Sequence, residues 1–237
     1  MNLYENLNYV TFVLPSLNER NNLTPIIKEI IKLSEGFEIE IIVVDDNSKD
    51  GTQNLIRELS RKDRRVRLIN RYGRYGLSSA IKEGCLSANG EIIAIMDADG
   101  QHEPSLLPII LSPLISGEVD LVIGTRRKAA RLSEALFGFY TQKRYSVPDI
   151  LCGLKGYKID LFKDHGRFDA SRSIGTELAL AALARGVKFR LVDVPIRSRE
   201  GRARLGSRLR TEFMILRALT WALITDFCQI IYLRKRK

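Results

Sequence analysis

Residues 39 to 62 read "IEIIVVDDNSKDGTQNLIRELSRK" and change period half-way along. Ile39–Asp46 is an apolar, β-branched run without a polar face, as expected of a strand in a parallel sheet covered by helices on both sides. It ends in two aspartates. "SKDGTQNLIRELSRK" then opens with turn and cap residues and becomes helical. Strand, polar turn and helix in that order make one βα unit.

The unit recurs on both sides. "VTFVLP" (Val10–Pro15) is a short strand, followed by the helical "NNLTPIIKEIIKLS" with apolar Leu23, Ile26, Ile27, Ile30 and Ile31. "VRLIN" (Val66–Asn70) precedes "GLSSAIKEGCLSANG", a helix that Gly90 is expected to stop. "EIIAIMD" (Glu91–Asp97) precedes the apolar, helix-like "PSLLPIILSPLISG", and "DLVIG" (Asp120–Gly124) is a fifth strand. This alternation predicts a doubly wound, mostly parallel α/β sheet, in which ligands sit at the carboxyl ends of strands. Polar residues gather at those ends: Pro15 to Glu19, Asp45–Asp46 and Asp97–Asp99.

After Gly124 the pattern changes. "TRRKAARLSEALFGFYTQKRYSVPD" is basic, bears aromatics and lacks a strand run. "GTELALAALARG" (Gly175–Gly186) reads as a helix with a glycine stop, and "VKFRLVDVPI" as a further strand. "RSREGRARLGSRLR" (Arg197–Arg210) is densely basic. With no repeat and no low-complexity linker, the expected division is one domain over 1–210 and a C-terminal helix over 211–237. From Phe213 to Leu233 the tail has the ~20 residues of a membrane span. Arg217 and Asp226 lie inside it, however, and an aspartate near a span's centre costs roughly 2.5–3.5 kcal/mol. An amphipathic helix on a membrane surface or against a partner fits better, with docking on the protein's own core as the alternative. The terminal "RKRK" suits anionic lipid, at about 1 kcal/mol per basic side chain.

The 237 residues carry a net charge of +10, which suggests a polyanionic partner: nucleic acid, an anionic membrane face or phosphorylated small molecules. A basic nucleic-acid-binding module needs base-stacking aromatics interleaved with lysine and arginine. Only "FYTQKRY" (139–145) approaches that, so no nucleic-acid partner is expected. The 3 cysteines have no pair spacing, and 2 histidines leave no zinc pattern. The start "MNLYENLNYV" lacks the basic and apolar stretches of a signal peptide. The expectation is a cytoplasmic protein.

Asp97 and Asp99 end a strand two residues apart, with Gly100 allowing a turn. Alternate residues of an extended chain share a side, so two carboxylates so placed can hold one hard divalent cation. Gln101 continues the alternation and could add a carbonyl oxygen. Taken alone, the pair reads first as a turn with aspartate caps. A phosphatase-type nucleophile is the third reading, but the expected downstream lysine and acidic pair do not follow. Asp45–Asp46 is open in the same way: caps, or one carboxylate accepting hydrogen bonds from a base ring.

Four segments in order, "LPSLNERNNL", "VVDDNSKDGT", "NRYGRYGLSSA" and "IMDADGQHEPS", resemble the family-2 inverting glycosyltransferases of GT-A fold, in their dolichyl- and polyprenyl-phosphate sugar transferase branch. "VIGTR", "VPDILCGLKGYK", "GTELALAALARG" and "VPIRSREGRARLG" extend the likeness over about Val10 to Gly206. The resemblance implies a nucleotide-sugar donor (a GDP- or UDP-sugar) whose base and ribose meet Pro15, Glu19 and Asp46. It implies Mg²⁺ or Mn²⁺ at Asp97, Asp99 and Gln101, bridging the donor diphosphate. Arg126 matches an arginine placed for the acceptor phosphate, and Arg204 a basic residue facing phosphates across the site. Asp99, Arg126 and Arg204 are thus the expected catalytic set; Glu177 stands where the family carries an acidic helix residue. Leu17 replaces a frequent tyrosine, Ser78 a usual glycine and Ala203 a usual serine. The stretch from Arg126 to Asp149 is short beside the family's acceptor loop, which often carries an amphipathic helix. A Gln-x-x-Arg-Trp motif of sugar-acceptor relatives is absent, which favours polyprenyl phosphate as acceptor over a glycan hydroxyl. Such an enzyme works on the cytoplasmic face of a membrane, in some cases with a membrane-anchoring protein partner.

Overall fold

The computed structural model describes residues 9–73, 76–127, 129, 131–165, 174–195 and 208–234. Its frame is a 7-stranded sheet in the order β3-β2-β1-β4-β6-β5-β7. The strands are β1 (Val10–Ser16), β2 (Ile39–Asp45), β3 (Val66–Asn70), β4 (Ile92–Ile95), β5 (Leu121–Thr125), β6 (Lys155–Lys158) and β7 (Phe189–Asp193). Every pairing is parallel except those of β6, which runs antiparallel to both β4 and β5. The expected doubly wound, mostly parallel sheet is borne out.

The helices are α1 (Arg20–Leu33), α2 (Thr52–Lys62), α3 (Leu77–Leu86), α4 (Leu107–Ile115), α5 (Leu132–Tyr145), α6 (Ile159–His165), α7 (Glu177–Ala184) and α8 (Arg208–Arg234). Strand alternation explains the two layers. Val10, Phe12 and Leu14 point to one face of the sheet and pack with Ile26, Ile27 and Ile30 of α1, Ile56 of α2 and Ile110 of α4. Val13, Ile42 and Ile93 point to the other and meet Ile81 of α3, Phe137 of α5, Ala179 of α7 and Ala218 of α8. All residues of β1 and β2 are buried, which is why their sequences carry no polar face.

Several expected elements differ. β4 stops at Ile95, so Asp97 and Asp99 lie on the loop beyond it rather than in the strand. α3 ends at Leu86, before Gly90. Gly90 instead lets two backbones approach, because a methyl group there would stand 2.6 Å from the Thr11 nitrogen and the Tyr9 carbonyl oxygen. The segment after Gly124, read only as lacking a strand run, contains α5. The short β6 and α6 also went unread.

α8 lies along α5. Its buried stripe of Thr211, Ile215, Ala218, Ala222 and Asp226 faces the core. The Glu212 carboxylate accepts the Ser133 N–H at 3.1 Å, joining the first turns of the two helices. Further along, Asp226 accepts hydrogen bonds from the Tyr140 and Tyr145 hydroxyls and, at 3.2 Å, from Arg144 Nε. Among the described residues no helix is long and apolar enough to cross a membrane.

Candidate active site

The loops after β1 and β2 are built as one piece. Asn18 and Asn47 both take left-handed backbone angles, φ 54° and 64°, which asparagine tolerates better than most residues. The Asn18 N–H donates to Ser48 Oγ at 2.7 Å, and the Lys49 N–H donates to Asn18 Oδ1 at 2.7 Å. The Glu19 N–H donates to Thr52 Oγ1 at 3.1 Å, and the Arg20 N–H to Asp50 Oδ2 at 3.1 Å. Asp50 thereby satisfies an otherwise orphaned donor at the start of α1. This clasp fixes Glu19 and Asp46 relative to each other.

The acidic pair divides its labour. Asp45 is fully buried and accepts the Ser48 N–H at 2.9 Å and Gln53 Nε2 at 2.9 Å, so it caps and ties the turn. Asp46 turns outward to a cavity. Its Oδ2 accepts the Gly76 N–H at 3.0 Å, and its Oδ1 lies 3.5 Å from the buried guanidinium of Arg71. Arg71 is held in turn by Glu83 at 3.2 Å.

That cavity, of about 210 Å³, opens at the carboxyl ends of β1, β2 and β4. Pro15, Ser16, Leu17 and Glu19 line one side; Asp46, Gly76, Leu77 and Ala80 the next; Asp97, Ala98 and Asp99 the last. Five of the residues expected at the site, Pro15, Glu19, Asp46, Asp97 and Asp99, are therefore brought together. Gln101 does not line the cavity; its backbone N–H donates to Asp99 Oδ1 at 3.1 Å and steadies that carboxylate. Glu19 is steadied by Asn22 Nδ2 at 2.7 Å.

Two residues behind Asp97 do not stand out in the sequence. A methyl group on Gly153 would collide with the Asp97 carboxylate, so the bare glycine makes room for it. Lys155 is buried at the start of β6 and donates to the Cys152 carbonyl. Burial pushes its pKa down, while Cys152 and the carboxylates of Asp149 and Asp97 work the other way. The glycine belongs to the "VPDILCGLKGYK" motif; nothing in the sequence marks the lysine, because its burial depends on where β6 inserts.

Arg126 sits elsewhere. Its guanidinium makes a two-pronged pair with Asp149, Nε to Oδ2 at 2.6 Å and Nη2 to Oδ1 at 3.0 Å, and its backbone N–H also donates to Oδ2 at 3.1 Å. Glu134 of α5 adds a contact at 3.7 Å. Burial alone would raise the Asp149 pKa, but Arg126 overrides it and holds the carboxyl below its ordinary value. Together with Phe139 and Gln142, Arg126, Glu134 and Asp149 line a second hollow beside α5. Glu177 pairs with His165 Nε2 at 3.1 Å and lines a third cavity between α5, α7 and α8, apart from Asp97 and Asp99. Arg204 and Ala203 lie outside the described residues.

The Glycosyl transferase family 2 model matches residues 11–165, which include every residue lining the acidic cavity. The chain belongs to glycosyltransferase family 2. It is 31% identical over 229 residues to a dolichol-phosphate mannosyltransferase of Pyrococcus furiosus, covering 90% of this chain and 64% of that protein. It is 39% identical over 99 residues to a dolichyl-phosphate beta-glucosyltransferase of Trichomonas vaginalis, covering 39% of this chain and 29% of the relative. The chain thus spans under two thirds of the length of these relatives. In fold it is similar to the Mycobacterium tuberculosis glucosyl-3-phosphoglycerate synthase solved with Mn²⁺ and UDP-glucose: TM-score 0.73 at 20% identity, covering 92% of this chain and 78% of that one.

Proposed function

We propose that this family 2 glycosyltransferase moves a sugar from a nucleotide-diphosphate donor, a GDP- or UDP-sugar, to a polyprenyl phosphate with inversion at the anomeric carbon. The observation that carries the reading is the cavity that gathers Glu19, Asp46, Asp97 and Asp99 at the sheet's carboxyl edge. Four carboxylates facing one cavity repel a diphosphate unless a cation stands between them. Two hard carboxylates with room left for phosphate oxygens and water fit Mg²⁺ or Mn²⁺. Among the described residues there is no cluster of three metal-ligating side chains, so the donor itself would complete the shell. Asp97 and Asp99 would hold the ion, with Gln101 fixing Asp99 from behind. Bound there, it would neutralise charge developing on the departing nucleoside diphosphate.

The remaining steps belong to the chain's own groups. Leu17, Leu77 and Ala80 offer an apolar wall to the base, and Asp46 and Glu19 are positioned to accept from its polar edge or from the ribose. A polyprenyl phosphate oxygen is already ionised at neutral pH, so the acceptor needs orientation rather than a general base. Arg126 is assigned to the acceptor side, where Asp149 pre-sets its fork and leaves further N–H donors for phosphate. Arg204, on the basic segment 197–210, is assigned to phosphate binding on the strength of the motif it matches. The lipid acceptor requires work at a membrane surface, on its cytoplasmic face, with an anchoring protein partner as one means of retention.

Radiolabelled GDP- and UDP-sugars, incubated with undecaprenyl or dolichyl phosphate and Mn²⁺, should pass label into the lipid fraction. Label entering a glycan hydroxyl instead, with none in lipid for any donor tried, would overturn the acceptor assignment. Asp99→Asn should lower turnover by two or more orders of magnitude and weaken Mn²⁺-dependent donor binding while the melting curve stays intact. Near-normal turnover in that variant would reduce Asp99 to a turn former.

A further inference from the structure

On one side the sheet ends at β3, which pairs only with β2. In a parallel pair, alternate residues turn their backbone groups to the neighbour and the residues between turn them away. The Ile41 N–H donates to the Arg65 carbonyl, and the Arg71 N–H to the Asp45 carbonyl. Arg65, Arg67, Ile69 and Arg71 therefore face β2, while Val66, Leu68 and Asn70 face outward. The Val66 N–H is taken by the Asp63 carbonyl. The outward groups of Leu68 and Asn70 have no strand to meet, and such an edge is a template for another extended chain.

The outward-facing residues line a shallow hollow together with Arg57 and Arg61 of α2 and with Arg67. Arg57 and Arg61 stand four residues apart, on one face of α2, and both are exposed. Lys62 and Arg64, on the way from α2 to β3, are exposed as well. The carboxylates nearby are already paired, Asp63 with Arg65 at 2.7 Å and Glu40 with Arg67 at 2.6 Å. The edge is thus open in its backbone and positive along its rim. A second copy of β3 would bring arginine against arginine, whereas a strand bearing carboxylates is complementary. Nucleic acid or an anionic bilayer would use the arginines but not the edge. No aromatic side chain lines the hollow for base stacking, and no exposed large apolar side chain described lies on α2 or β3.

We propose that the outer edge of β3 accepts an extended acidic segment of a partner protein as a further strand. Its backbone hydrogen-bonds to Leu68 and Asn70, and its carboxylates pair with Arg57 and Arg61. The added strand ends beside the donor cavity, because Arg71, next to Asn70, is the buried guanidinium that contacts Asp46.

The probe is a fluorescein-labelled peptide of about seven residues, glutamate alternating with threonine, titrated with the full chain and followed by anisotropy. It should bind, more weakly as salt rises, and should slow hydrogen exchange at Leu68 and Asn70. Arg57→Glu with Arg61→Glu should weaken binding by about tenfold or more. Lys28→Glu with Lys32→Glu, the same charge change on exposed positions of α1, should leave it unchanged. Only alternate amides of an added strand face β3, so N-methylation of one alternate set should abolish binding and N-methylation of the other should spare it. Absence of binding, or equal binding by both methylated peptides, would overturn strand addition, the latter by showing that charge alone acts. Binding of a single-stranded oligonucleotide or of phosphatidylglycerol vesicles that needs Arg57 and Arg61, with none of the peptide, would overturn it too. So would concentration-dependent dimers that the peptide disperses, since the occupant would then be a second copy.

Discussion

Adjacent aspartates need not share a role. Asp45 and Asp46 sit side by side, yet one is spent on its own turn and the other faces the cavity. Sequence leaves that choice open, since both roles use the same chemistry; the left-handed Asn47 and the clasp to Asn18 settle it. Asp97 and Asp99 were legible as a pair because their spacing and position after an apolar run carry information. The room that Asp97 needs was not. Gly153 supplies it from 56 residues downstream, through a contact only the fold creates. Gly153→Ala should therefore strain the Asp97 loop, costing about 1–3 kcal/mol as overpacking does. The specific effect should be on ion and donor: Mn²⁺ with UDP or GDP should raise the wild-type melting temperature, and that increment should shrink or vanish in the variant. A full increment on a lowered baseline would mean that the glycine serves packing alone.

At the scale of elements, regular βα units were readable because each strand is apolar throughout and each helix shows one apolar face. The missed pieces break those conditions. β6 is four residues, Lys155 to Lys158, with a lysine at either end, and pairs antiparallel to both neighbours. α5 hides its period because Leu132, Leu136 and Phe139 are apolar on the side away from Phe137. What joins β5, α5 and the loop before β6 is the Arg126–Asp149 pair. Removing one charge of a largely buried pair leaves the other uncompensated. Asp149→Asn should cost about 2 kcal/mol at neutral pH, or roughly 4–8 °C in Tm for a domain of this size. The folded-state pKa of Asp149 lies below its ordinary value. Its contribution is therefore complete above about pH 4, the unfolded value, and is lost as pH falls through the folded one. Melting both proteins from about pH 7 down to about pH 2.5 should show the gap in Tm narrowing in acid. A gap that persists unchanged would mean that the pair does not set stability through its charge.

For the molecule as a whole, the sheet and its ligand edge followed from the order of strands, whereas the placement of the C-terminal helix did not. The apolar tail fitted a membrane surface or a partner better than the protein's own core, since composition does not say which neighbour is present. Asp226, which argues against a span, is also the residue that docks the helix. Its carboxylate gathers the Tyr140 and Tyr145 hydroxyls and Arg144, all from α5. Burial, followed by this carboxylate, raises the pKa of both tyrosines. Asp226→Ala would strip three donors of their acceptor at once, at a cost of about 2–4 kcal/mol. The loss should fall on the α5–α8 contact before it reaches the sheet. Hydrogen exchange should therefore accelerate along 215–226 and 137–145 while β1 and β2 stay protected, and Asp226→Asn, which keeps one acceptor oxygen, should show a smaller change. Uniform acceleration in every strand would make α8 part of one indivisible cooperative unit. No change at all would show that the apolar stripe of Ile215, Ala218 and Ala222 seats the helix without the carboxylate.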